Sequence, residues 1–182
     1  MRRLNLGCGN DYRSDWVNVD LNRSVRTDVC ADLDENLPFA DDSFSEVLLD
    51  NVLEHVHREK FFAFMAELHR VCRPGACITI FVPHYSGMYA LKHPTHYNCF
   101  GIGTFHVFEP DAPPTGERYS NARFKVLQER LLFFHHNLVH FSFLSRAPIN
   151  WLFNFGLHWK QLMERIQFLG FDEIHYELEV RK

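Results

Sequence analysis

The sequence has no run of about eighteen apolar residues, roughly the length that a membrane-spanning helix needs. From Arg2 and Arg3 the chain passes directly into its first predicted strand, so no classical signal segment is expected. The five cysteines are odd in number and never spaced Cys-x-x-Cys, which predicts neither a disulfide framework nor a zinc knuckle. We therefore expect a cytoplasmic protein with reduced cysteines.

An excess of basic residues is also absent. The formal net charge is -4 at pH 7, with acids and bases scattered along the chain, so no basic stripe is available for the phosphates of DNA or RNA. The chain does contain 46% hydrophobic and 15% aromatic residues in a length of 182. This composition predicts one globular domain over residues 1–182, with a substantial core and no nucleic acid partner.

Two glycines near the N-terminus predict a binding loop. The apolar run from Leu4 to Leu6 leads into Gly7 and Gly9, which allow a sharp turn and a close approach of ligand to backbone. In open parallel α/β sheets such a loop lies at the carboxyl ends of the strands, where ligands bind. Tyr12 stands where the NAD fingerprint has its third glycine, and no Gly-Lys-Ser/Thr tripeptide follows for a phosphate loop. A turn without a ligand is the alternative.

The remaining elements predict an α/β fold with a mostly parallel seven-stranded sheet. The predicted strands are 4–6, 16–20, 29–33, 46–50, 77–82, 124–134 and 174–180, with an amphipathic helix over 58–73 that Pro74-Gly75 stops. Only seven residues separate Gly9 from Val17, so the first crossover helix is reduced to a turn. The clean alternation over 174–180 favours an antiparallel last strand.

Several of these segments resemble the small methyltransferases often called type 11, which use S-adenosylmethionine (SAM). The glycine loop is similar to motif I of class I methyltransferases, with Asn5 in place of the usual acid and Asp11 in place of a third glycine. Further similar runs are Leu37-Pro38-Phe39, Asp41-Asp42-Ser43-Phe44, Val52-Leu53-Glu54-His55-Val56, and Leu68 to Gly75 followed by a strand and Pro83. The resemblance covers residues 4–83, and the segment beyond it, from His84 to Glu109, is similar to segments of methyltransferases from polysaccharide gene clusters.

This resemblance implies a Rossmann-like class I methyltransferase fold, SAM as cofactor and methyl transfer as the activity. Asp20 would bind the ribose hydroxyls, Asp32 would reach the adenine amino group, and Leu33 would stack nearby. For Asp20 the alternative is an exposed acid in a turn. The implied cofactor residues are Gly7, Cys8, Gly9, Asp20, Leu21, Asp32, Leu33, Asp50 and Asn51.

In the methyltransferases from polysaccharide gene clusters, segments similar to His84 to Glu109 form a loop over the acceptor site, so residues 84–122 are expected to be an acceptor-side loop region. We therefore expect methylation of a hydroxyl oxygen on a sugar, a glycan or another small acceptor. Such a reaction needs a base, and histidine suits this role near neutral pH. Among the twelve histidines, His84 follows the fifth strand and His96 lies in the loop, so both are candidate catalytic residues. For each of them, a structural or surface histidine is the alternative.

Two other functions remain open. Because Asn5 and Asp11 depart from the family pattern, the chain could be a SAM-binding protein without catalytic activity. It could also be a histidine-rich metal-binding module on a Rossmann-like scaffold, with His93 and His96 joined by His84 or His106. Since no carboxylate or cysteine pattern completes such a group, no metal site is predicted.

A C-terminal helical segment is predicted over residues 148–169. Its apolar residues at one helical face are Leu152, Phe155, Trp159, Leu162, Ile166 and Leu169. Trp151, Trp159, Lys160 and Arg165 would also suit a helix on a membrane surface. We prefer packing against the sheet, which has lost its first crossover helix, and expect no membrane contact. The sequence leaves the oligomeric state open.

Overall fold

Seven strands form one sheet in the computed structural model of the protein, which describes residues 2–111, 119–132, 151, 154, 156–165 and 171–182. The strands are β1 (Arg3–Leu6), β2 (Val17–Asp20), β3 (Val29–Cys30), β4 (Phe44–Asp50), β5 (Cys72–Pro83), β6 (Phe124–Leu132) and β7 (Glu173–Val180). The helices are α1 (Phe61–Val71), α2 (Met88–Lys92) and α3 (Leu157–Arg165), with 3-10 turns at Leu53–His55, Arg58–Lys60 and Thr104–Phe108.

The strand order is β3-β2-β1-β4-β5-β7-β6. Strands β1 to β5 pair in parallel, whereas β7 is antiparallel to both of its neighbours, β5 and β6. The chain has no helix between β1 and β2. The predicted α/β fold is therefore confirmed, including the mostly parallel sheet, the antiparallel last strand and the shortened first crossover.

Several predicted element boundaries were wrong, including the start of β5 at Cys72 instead of residue 77, and two of the errors have a local reason. The third strand ends at Cys30 instead of residue 33, because the Asp32 carboxylate accepts a hydrogen bond from the Asp34 amide at 3.0 Å and turns the chain. Helix α1 ends at Val71 instead of residue 73, because Arg73 precedes Pro74 and is thereby excluded from helical backbone. Strand β5 consequently begins directly after the helix, with a register shift relative to β4 around Pro74.

One face of the sheet carries the core. Helix α1 buries Phe64, Met65, Leu68 and Val71 against it. The buried strand residues on this face include Leu4, Leu6, Val19, Val47, Leu49, Ile78, Ile80, Tyr176 and Leu178. Part of the segment expected to be an acceptor-side loop also packs here, because Phe105 and Phe108 of its 3-10 turn are buried.

Helix α3 corrects the prediction for the C-terminal helical segment. The predicted apolar face was wrong at Trp159 and Leu162, which are 38% and 47% exposed, whereas Lys160 and Met163 are buried. The Lys160 ammonium donates to the Glu129 carbonyl at 2.6 Å and lies 3.7 Å from the Glu129 carboxylate, and this pairing sets the rotation of the helix. Leu152, Phe155, Ile166 and Leu169 lie outside the described residues, and the side chain of Arg165 is not described either. None of the described helices is long and apolar enough to cross a membrane.

Two buried asparagines hold the short connection between β1 and β2. Asn18 accepts a hydrogen bond from the Arg13 amide at 2.9 Å, and its own amide donates to the carbonyls of Arg13 and Trp16. Asn5 donates to the carbonyl of Asp11 at 2.8 Å and to Asn18 Oδ1 at 3.2 Å. An acid at position 5 could only accept once ionised, so asparagine at this position suits the shortened crossover.

We predict that Asn18→Ala lowers the free energy of unfolding by about 2 to 3 kcal/mol, because it leaves buried backbone groups of the loop without partners. Urea unfolding followed by circular dichroism measures this loss. Asn121→Ala, at an exposed position, is the matched control and should change stability by less than about 0.5 kcal/mol. Equal stability of the two variants would show that the asparagine network is dispensable.

Candidate functional site

An open cleft of about 250 Å³ lies at the carboxyl ends of β1, β2 and β4. This volume is close to the lower end of the usual range for small-molecule sites, about 300 Å³. The lining residues are Gly7, Asp20, Leu21, Asp32, Leu33, Asp34, Asn51, Val52, His55 and Val56. Six of the nine implied cofactor residues thus meet in one cleft. Cys8, Gly9 and Asp50 are not among its lining residues.

The glycine loop folds back onto β2. Gly7 and Gly9 both adopt left-handed backbone, with φ of +62° and +47°. A Cβ on Gly7 would lie 2.5 Å from Val52 Cγ2, whereas a Cβ on Gly9 would have no atom within 4 Å. The Cys8 amide donates to the Val19 carbonyl at 3.0 Å. Burial raises the pKa of the Cys8 thiol, so this side chain stays protonated at neutral pH.

Asp20 connects the end of β2 to this loop. Its Oδ2 accepts a hydrogen bond from the Gly9 amide at 2.8 Å, and its Oδ1 accepts one from the Asn22 amide at 2.8 Å. An ionised carboxylate has about four acceptor positions, so both oxygens can still accept from a ligand hydroxyl. Asp20 is half-buried and lines the cleft, which favours a binding role over that of an exposed turn acid.

Asn51, directly after β4, is held in left-handed backbone with φ of +54°. Asparagine adopts this conformation more readily than most non-glycine residues, and such positions are enriched at functional sites. The side-chain amide of Asn51 donates to Asp50 at 2.8 Å and to Glu173 of β7 at 3.1 Å. Its backbone amide donates to the Phe81 carbonyl at 2.9 Å, so strands β5 and β7 both position this wall of the cleft.

Glu54 is a candidate functional residue that the sequence reasoning did not single out. Its carboxyl group is buried beside the cleft-lining segment, and Oε2 has no hydrogen-bond partner. Burial, together with the nearby carboxylates of Glu173 and Asp50, raises the pKa of Glu54 to about 8. An acid inside the apolar run Val52 to Val56 is the signal that could have identified it.

The two predicted catalytic histidines lie in different surroundings. His84 is completely buried, with Nδ1 2.7 Å from Ser86 Oγ and Nε2 2.9 Å from Glu164 Oε1. Because both ring nitrogens are bonded within the protein, the geometry favours a structural role for His84. His96 is half-buried and lies close to His55, which lines the cleft, with ring centroids 4.8 Å apart.

The grouping of histidines also differs from the one considered for a metal site. Among the described residues, His55, His93 and His96 each bring one ring nitrogen within 4.8 Å of the others. His84 does not belong to this group, and neither does His106, which lies 3.5 Å from Glu129. Burial and neighbouring imidazoles lower the pKa of both His55 and His96, which keeps these rings neutral at pH 7. The sequence spacing could not show that His55 would join the loop histidines.

Comparison with known proteins identifies the architecture. Residues 4–80 match the type 11 family described as a methyltransferase domain. A SAM-dependent methyltransferase from Archaeoglobus fulgidus superposes with a TM-score of 0.53 at 18% identity, over 98% of this chain and 86% of its own. The chain has the class I methyltransferase fold. An S-adenosylmethionine-dependent methyltransferase from Mesorhizobium loti matches this fold with a TM-score of 0.52 at 15% identity, over 98% of this chain and 90% of its own.

The methyltransferase fold alone does not determine the reaction. The [4+2]-cyclase SpnF superposes with a TM-score of 0.59 at 13% identity, over 100% of this chain and 75% of its own. No curated protein matches the chain. The reaction must therefore be inferred from the residues that form the site in this chain.

We predict that Gly7→Ala lowers the free energy of unfolding by about 2 to 4 kcal/mol, because strained backbone and the contact with Val52 both oppose the new methyl group. Gly9→Ala, which meets open space, should cost only about 1 to 2 kcal/mol.

The contact is tested with the double variant Gly7→Ala/Val52→Ala in denaturant unfolding. We expect the double variant to lose less free energy of unfolding than the two single variants lose together. The difference should be at least about 1 kcal/mol, since removing the valine methyls makes room. Strict additivity would show that the glycine is required only for its backbone angle.

Proposed function

We propose that this chain binds SAM in the cleft at the carboxyl ends of β1, β2 and β4 and transfers its methyl group to a hydroxyl oxygen of a small acceptor. The observation that carries this proposal is the convergence of Gly7, Asp20, Leu21, Asp32, Leu33 and Asn51 in one cleft of a methyltransferase fold. The family match over residues 4–80 supports the cofactor assignment.

Each side of the cleft suits one part of SAM. The left-handed glycines keep Cβ atoms out of the loop, so a ligand can lie against its backbone. Asp20 would accept hydrogen bonds from the ribose hydroxyls, while Asp32 and Leu33 would hold the adenine. Cys8 and Gly9 would contribute through the backbone of the loop, and Asp50 through its hydrogen bond to Asn51. SAM supplies an activated methyl group, so the protein mainly binds and orients.

The acceptor would enter on the side of the cleft that His55 lines. Direct transfer requires the acceptor oxygen to be held in line with the methyl group, and a hydroxyl must also lose its proton. His96, which packs against His55, is the predicted catalytic histidine best placed to assist this step. A sugar or glycan is the acceptor class we favour, because the loop segment resembles those of methyltransferases from polysaccharide gene clusters.

We predict that Asp20→Ala weakens SAM binding by about 10- to 100-fold, corresponding to roughly 1.5 to 3 kcal/mol for lost hydrogen bonds to a charged group. Isothermal titration with SAM and with its demethylated product measures both affinities. Asp15→Ala removes an exposed acid elsewhere and should leave both unchanged.

Methylthioadenosine, which retains the ribose, separates the two possible roles of Asp20. If it binds the wild type and Asp20→Ala equally, the carboxylate only supports the loop through Gly9. If SAM itself does not bind the wild type, the proposed function fails altogether.

We predict that His96→Gln lowers kcat by about 100-fold or more while SAM affinity stays nearly unchanged, the usual scale for loss of a group that assists proton removal. The assay is methyl transfer to a panel of sugar hydroxyl acceptors at saturating SAM. His158→Gln, exposed on α3, is the control and should keep the wild-type rate.

For His84→Gln the expected result is instead a lower melting temperature, because His84 is buried between Ser86 and Glu164. A full rate in His96→Gln would remove this residue from the reaction. SAM binding without product on any acceptor would favour the alternative of a binding protein without catalytic activity.

A further inference from the structure

Three imidazoles meet beside the cofactor cleft. The ring centroids of His55 and His96 are 4.8 Å apart, those of His93 and His96 5.1 Å, and those of His55 and His93 5.7 Å. One ring nitrogen from each histidine lies within 4.8 Å of the other two. Ligand nitrogens around a tetrahedral zinc ion lie about 3.4 Å apart, given Zn–N bonds of about 2.1 Å. His55 and His93 are exposed, so their rings have room to turn toward an ion, and closing this gap requires such a turn.

Thr95 orients two of these rings. Its hydroxyl lies 2.8 Å from Nδ1 of His93 and 2.9 Å from Nδ1 of His55, and its carbonyl lies 3.2 Å from the same His55 atom. Metal-binding histidines typically engage their second ring nitrogen in this way, which fixes the ring and leaves Nε2 for the ion. In His96, Nδ1 is buried and makes no hydrogen bond, although the ring also has a polar interaction with the Ala90 backbone, so a nitrogen of this ring remains for an ion.

Hydrogen bonds join the chain segment that carries His55 to the segment that carries His93 and His96. The Tyr97 amide donates to the Glu54 carbonyl at 2.7 Å, and the Asn98 side chain donates to the carbonyls of Leu53 and Val56 at 3.0 and 2.6 Å. The Arg58 guanidinium donates to the Tyr97 carbonyl at 2.9 Å. These hydrogen bonds hold the backbones of the two segments in place, and the three histidines lie at the junction between them.

We propose that His55, His93 and His96 bind a divalent transition-metal ion, with zinc as the best match to three imidazole ligands. Imidazole suits zinc, copper, iron and nickel, and three protein ligands with one open position are typical of catalytic zinc. Since His55 also lines the cleft, the ion would lie at the edge where an acceptor enters. Binding of the ion is independent of SAM binding, but a metal-bound His96 could not also accept the acceptor's proton. With the ion present, proton removal would pass from His96 to the metal site, and this part in activating an acceptor oxygen rests on the proposed function.

The test is a titration of untagged protein, freed of metal by a chelator and dialysis, in the absence of SAM and acceptor. We expect one Zn²⁺ per chain in isothermal titration, and a visible absorption spectrum of low-coordinate Co²⁺ when cobalt replaces zinc. His93→Ala and His96→Ala should each weaken binding by more than about 100-fold, and Thr95→Val by about 10- to 100-fold as a change in the supporting shell. His158→Gln is the matched control and should bind like the wild type.

Circular dichroism of each variant establishes that it is folded, and His93→Ala is the safest change because this side chain is exposed. Absence of stoichiometric binding to the wild type would overturn the proposal. So would equal affinity in the wild type, His93→Ala and His96→Ala, which indicates an adventitious ion only. SAM titrations of the same metal-free protein test the cofactor site separately, so failure of one proposal is distinguishable from failure of the other.

Discussion

The side-chain amides of Asn5 and Asn18 are the contacts on which the cofactor cleft depends. In most folds of this kind a helix packs behind the first loop, but here hydrogen bonds from two buried asparagines secure that connection. Because buried amides must be satisfied, the loop backbone has little freedom to move. Its conformation places the Gly9 amide against the carboxylate of Asp20, which lines the cleft.

Much of the fold could be predicted because each strand is marked by local pattern. The apolar runs and the alternation over 174–180 identified the strands, and seven residues are too few for a crossover helix. Periodicity failed for α3, where the pairing of Lys160 with Glu129 outweighs the exposure of Trp159 and Leu162. A buried ion pair of this kind depends on a partner 31 positions away, which no local pattern contains.

The candidate site, like the fold, has one part that local sequence patterns predict and one part that depends on contacts between distant segments. Gly7 directly follows β1, Asp20 ends β2 and Asp32 lies two residues after β3, so the parallel sheet itself brings them to one edge. The acceptor side depends on contacts between distant segments, and sequence reasoning grouped its histidines incorrectly. Glu54 and His55 stand next to each other in the chain, yet one is buried and the other lines the cleft, and the Glu54 carbonyl accepts hydrogen bonds from the Tyr97 and Asn98 amides of the distant loop.

The position of β7 has a consequence for the order of folding. Strand β6 comes earlier in the chain, yet β7 is its only partner in the described sheet, so β6 cannot join until β7 has been inserted beside β5. Asn51 likewise bonds to Glu173, 122 positions later. Most cofactor residues emerge early during synthesis, but a ribosome-bound chain lacking β7 would lack one support of its cleft. The nascent chain would therefore gain full affinity for its ligand only after β7 has been synthesised and has paired with β5.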